Sequence, residues 1–105
     1  MTNTRIEQLK EILEMDPKNI LTRYALGMEY SGAGQTDEAL KAFKELMAVN
    51  PDYANAYFMG AQALQAAERT EEAKQWLTDG IAAARRSNNR HAESEMQAML
   101  DEISY

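Results

Sequence analysis

His91 and Glu95 stand four residues apart, close enough to share one face of a helix, and they are the nearest thing to a metal-binding pair in the chain. A metal site needs more. Zinc and related ions take three or four protein ligands, and this sequence has one His and no Cys. A solvated ion pair along a helix is the simpler reading. Nucleophilic catalysis fares no better: the only Ser residues near the single His are Ser87 and Ser94, and they are near it merely in sequence. "SGAGQT" (31–36) looks like a phosphate loop, but such loops follow a strand, and the sequence offers none. Asp37/Glu38 and Glu71/Glu72 could form carboxylate pairs, yet both follow a Thr where a helix should begin, and acids are favoured there by the helix dipole. Neither an enzyme nor a cofactor or metal is expected.

The bulk composition points to a soluble chain that works without nucleic acid or membrane. The net charge is −6 over 105 residues, which repels a phosphate backbone. The one basic cluster, Arg85, Arg86 and Arg90, suits the C-terminal end of a helix. "MTNTRIEQLK" lacks the apolar centre of a secretory signal, and no apolar run nears the ~20 residues that span a bilayer. The expected compartment is the cytoplasm.

The elements that must position any site are helices. β-branched residues are few and none alternate with polar ones, while Ala, Leu, Glu, Gln, Lys and Met dominate. Apolar residues recur three and four apart in six stripes: Ile6, Leu9, Ile12, Leu13; Leu26, Tyr30; Ala39, Leu40, Phe43, Leu46, Met47; Tyr57, Ala61, Leu64; Ala73, Leu77, Ile81; and Met96, Met99, Leu100, Ile103. Pro17 and Pro51 cannot sit inside a helix. Gly32 and Gly34 suit a helix end of positive φ, Asp16 or Asn19 is suited to cap the second helix, and Thr36 and Thr70 read as N-caps. These signals predict helices over 4–15, 19–32, 36–49, 53–66, 70–86 and 89–103. Short connections make neighbouring helices antiparallel.

"LKEILEMDP" (9–17) and "FKELMAVNP" (43–51) are one phrase written twice, thirty-four residues apart. At the same shift "GQTDEALKAF" falls on "ERTEEAKQWL", so Thr36 meets Thr70, Ala39 meets Ala73 and Phe43 meets Leu77. A period of ~34 with two helices per unit resembles the tetratricopeptide repeat family. Leu26, Gly27, Tyr30, Ala39, Phe43 and Pro51 stand at that family's signature places. Three departures are visible: Arg23 where an aromatic often stands, Gly60 where a Leu is usual, and Arg85 in place of a second closing Pro, which would let the fifth helix run on. The resemblance implies a single all-α domain over 1–105, with antiparallel helix pairs stacked in a right-handed superhelix. It divides the chain into a half-repeat helix (1–18), repeats over 20–53 and 54–87, and a capping helix (88–105).

In this family the first helix of each pair lines the concave face. The resemblance therefore implies a groove of Leu21, Tyr24, Met28 and Ser31 from the first unit, and of Asn55, Phe58, Met59, Gln62 and Gln65 from the second. Some members clamp a chaperone's terminal carboxylate with Lys, Asn and Arg on these helices; here only Asn55 would serve, so that ligand is rejected. An apolar or amphipathic segment fits instead, seated by the aromatics and by the adaptable Met28 and Met59, and oriented by Gln62 and Gln65. Two alternatives stay open. The apolar groups could pack against the C-terminal helix, or against a second copy in a self-associating homodimer. Met47, Met96 and Met99 read as core fillers, and Trp76 as packed rather than free on the convex side.

Overall fold

A computed structural model describes residues 4–104 as six helices: α1 (Thr4–Met15), α2 (Ile20–Gly32), α3 (Thr36–Val49), α4 (Ala54–Ala66), α5 (Thr70–Arg86) and α6 (Arg90–Ile103). Each boundary falls within a residue of the spacing-based expectation. The fifth helix does run on: α5 has 17 residues against 14 in α3, as a missing proline allows. Among the described residues no helix is long and apolar enough to cross a membrane.

The helix ends show how the turns are made. Asn19 caps α2 by accepting from the Thr22 N–H at 3.0 Å. Thr36 and Thr70 are not caps. They are the first helical residues, preceded by Gln35 and Arg69, and neither helix start has a side-chain cap. Gly32 ends α2 in helical conformation, and the positive φ belongs to Gly34 (76°). There the Gln35 N–H reaches the Tyr30 carbonyl at 2.9 Å and the Gly34 N–H reaches Ser31 at 3.1 Å, the double bond of a Schellman turn. α4 closes the same way with Glu68 at φ 60°, and α5 with Asn88 at φ 55°.

Consecutive helices pack antiparallel, and α4 also packs on α2 and on α6. Among the described residues the backbones of α1 and α3, and of α3 and α5, stand farther apart and are bridged by side chains alone. The α2–α4–α6 layer is therefore the tight one and the α1–α3–α5 layer the splayed one. The smallest dimension, 17 Å, fits two helix layers ~8–10 Å apart.

The core follows the stripes. Phe43, Leu46, Leu64, Leu77 and Met96 are fully buried, and Met47 and Met99 pack at its margin. Ile12 departs from its stripe and is 44% exposed. Gly27 lets Phe43 lie directly on α2: a Cβ there would collide with the Phe43 ring. Trp76 is packed, and its ring lies over Gly60 of α4. The departures at 60 and 23 thus have partners. Arg23 donates to the Pro17 carbonyl at 2.6 and 2.9 Å and to Glu45 at 2.5 Å, so it ties the α1–α2 turn to α3.

Candidate functional site

α4 is the middle helix of the tight layer, and its sequence, ANAYFMGAQALQA, contains no charged residue. Ala56, Gly60, Ala61, Ala63 and Leu64 are buried against the outer helices. The opposite side presents Phe58, Gln62 and Gln65, with α6 alongside contributing Met99 and Ile103. Between the two helices lies an open cradle of about 570 Å³. Phe58, Met99 and Ile103 are half-buried and pack on the α5–α6 core, so they form a fixed apolar floor. The remaining polar groups on this face are Glu95 and Glu102 of α6. Gln65 carries a side-chain Oε1 that is buried without a hydrogen-bond partner.

The expected groove residues stand in several settings. Phe58, Gln62 and Gln65 come together in the cradle. Leu21 and Met28 lie exposed on α2, at 74% and 41%. Tyr24 and Met59 are half-buried and join α2 to α4: the Tyr24 ring sits 6.1 Å from Phe43 and 5.6 Å from Tyr53, both tilted, and burial pushes the Tyr24 phenol pKa up. Ser31 is half-buried at the α2 turn, where its carbonyl takes the Gly34 N–H. Asn55 faces a different, polar hollow of about 560 Å³ beside Asn50, Asp52 and Asn89. α6 is more than a cap: Met99 and Ile103 lie beside Phe58, the packing against the C-terminal helix that the sequence left open. The signal in the sequence is the width of the α6 stripe: Met96 alone is fully buried, and Met99, Leu100 and Ile103 stay half-buried around it.

Two smaller hollows open on the splayed side. One, of about 400 Å³, lies between α1 and α3 over Leu26 and Tyr30, with Lys10 set 5.8 Å above the Tyr30 ring. The other, of about 430 Å³, lies between α3 and α5 beside Trp76. Their rims mix charges of both signs that already pair within the chain: Arg23 with Glu45, and Arg69 with Asp37 (2.6 Å) and Glu72 (2.8 Å). The basic cluster is engaged too, Arg85 with Glu93 at 2.8 Å and Arg86 with Asp52 at 2.7 Å. His91 Nε2 meets Glu95 Oε1 at 2.6 Å on an exposed face, and among the described residues no third acidic or imidazole group completes a metal site.

A stack of antiparallel helix pairs with one tight, uncharged middle helix defines an α-solenoid built to present a surface. Its particular class follows from the sequence matches: a tetratricopeptide repeat model matches residues 30–100, a second matches 9–41, and the chain belongs to that family. It is 30% identical over 98 residues to a TPR repeat-containing protein of Pseudomonas aeruginosa, covering 93% of both chains. It is similar in structure to a tetratricopeptide repeat domain protein of Salinibacter ruber solved by NMR (30% identity, TM-score 0.76, 85% of this chain and 90% of that one). The TPR2B domain of yeast Sti1, solved in complex with pHsp70, superposes with a TM-score of 0.84 over 94% of this chain and 79% of that one, and at 16% identity the likeness is one of fold.

Proposed function

We propose that the chain is a non-catalytic protein-interaction module that seats an apolar or amphipathic peptide segment along the α2–α4–α6 face. The observation that carries this reading is the cradle itself. A half-buried Phe58, Met99 and Ile103 floor stays open to solvent beside a helix with no charge of its own. Such surfaces are the usual seat of helical or extended peptide ligands. Family membership supports the general role, since tetratricopeptide arrays present extended concave surfaces to partners. Phe58, Gln62 and Gln65 are the centre of the proposed site. Leu21, Met28 and Ser31 extend it along α2, Tyr24 and Met59 lie between, and Asn55 opens on the neighbouring polar hollow.

The test is a peptide-library selection on the whole chain, repeated on Gln62→Trp. Gln62 is exposed, so an indole there fills the cradle without disturbing the core. Peptides selected on the parent should lose binding to the variant while its helicity is unchanged. Peptides that bind both proteins equally would place recognition elsewhere.

A second reading, self-association, is favoured by Met15 and Leu21. They flank the α1–α2 turn and are 90% and 74% exposed. A homodimer closed over that end would cover them. Light scattering across a wide concentration range separates the two: a monomer throughout favours the peptide module, and a dimer that Leu21→Lys dissociates favours assembly.

A further inference from the structure

We propose that the α4–α6 cradle selects a cationic amphipathic segment, one whose apolar row lies on Phe58, Met99 and Ile103 and whose Lys or Arg side chains meet Glu95 and Glu102. This rests on reading the cradle as a peptide site and names the chemistry of the peptide.

The charges facing the cradle are all of one sign. α4 supplies none, and the α6 face supplies two carboxylates and no Lys, Arg or His. The rims of both outer hollows, by contrast, interleave acids and bases. Glu102 makes no ion pair among the described residues. Glu95 is paired with His91 alone, on an exposed surface where such pairs are readily exchanged. A ligand bearing carboxylates would meet repulsion along this edge; one bearing ammonium or guanidinium groups would satisfy it.

Spacing sharpens the expectation. Glu95 and Glu102 are seven residues apart, two turns of α6 and about 10 Å along its axis. A helical ligand lying along α6 would match them with cations seven residues apart, an extended one with cations about three apart.

The test uses two blocked synthetic peptides of about 14 residues, ~21 Å as a helix. Both carry Leu at the i, i+3, i+4, i+7 spacing; the remaining positions are Lys in one and Glu in the other. Binding is read by fluorescence anisotropy at roughly physiological salt. The Lys peptide should bind at least about tenfold more tightly than the Glu peptide. Glu95→Gln with Glu102→Gln should remove most of that preference. Glu7→Gln with Glu11→Gln takes the same charge from exposed positions of α1 and should preserve it. If the α1 pair weakens binding as much as the cradle pair, the attraction is only that of a chain of net charge −6, and the proposal fails. If both peptides bind alike and Gln62→Trp blocks both, the cradle is a peptide site without charge selection, so the proposal fails and the underlying reading stands. If neither binds, both fail.

Discussion

The Trp76 ring lies against Gly60, and one repeat earlier the same two places hold Ala42 and Leu26. The first unit puts the large side chain on the inner helix and the small one on the outer; the second unit reverses them. Gly60 is therefore no gap in the motif but the space that Trp76 fills. Two substitutions follow. Gly60→Leu should cost about 1–3 kcal/mol through overpacking, more than the ~1 kcal/mol of helix propensity it gains, because Trp76 is wedged among all three parts of the core. Trp76→Ala should cost about 3 kcal/mol. Together they recreate the first unit's pair, so urea melts should show the double variant losing less than the sum of the two. Simple additivity would mean that the two sites are independent.

Arg23 and Tyr57, also thirty-four residues apart, do one job with different chemistry. The Tyr57 hydroxyl donates to the Pro51 carbonyl at 2.7 Å, as Arg23 donates to that of Pro17. Arg23→Tyr is then expected to stay within about 1 kcal/mol of the parent, whereas Arg23→Ala should lose about 1–3 kcal/mol. Chemical denaturation of the two variants side by side checks this, and equal losses would contradict it.

Glu68 holds the left-handed turn position that Gly34 holds in the first unit. A side chain in that conformation costs roughly 1–2 kcal/mol, part of which glycine gives back as chain entropy. Glu68→Gly should raise the melting temperature, with a gain on the order of 0.5–1 kcal/mol. A fall would show that the Glu68 side chain makes a contact of its own.

Arg69 ties the start of α5 to the start of α3 through Asp37, and pairs within its own turn with Glu72. Its hydrogen bond holds the Glu72 carboxyl below the usual carboxylate range. A depressed folded pKa stabilises fully above the unfolded value, and the contribution fades as pH falls through the folded one. The melting-temperature gap between the parent and Arg69→Met should therefore be present near pH 7 and shrink below about pH 4. A gap that widens in acid would contradict the assignment.

Helix starts and stops were legible because Pro17, Pro51 and Gly34 act locally, and each boundary lay within one residue. The pairing of Gly60 with Trp76 was not, because compensation between helices is set by packing that no single stripe contains. Thr36 and Thr70 were misplaced by one position, a shift too fine for spacing to resolve. The groove residues were drawn from α2 and α4 alone. The rings of Phe43 and Tyr53 beside Tyr24, the polar hollow beside Asn55, and the row of Met99 and Ile103 beside Phe58 all depend on contacts between helices that no single stripe contains.

The central claim is that partners are held on the α4–α6 side of the tight layer. The most direct test maps amide chemical shifts of the labelled chain during titration with a library-selected peptide. Shifts should concentrate at Phe58, Gln62, Gln65, Met99, Glu102 and Ile103, while Asp37, Glu71 and Asp79 on the splayed side stay unmoved. Shifts confined to the α1–α3 and α3–α5 hollows would place binding on the opposite surface and contradict it.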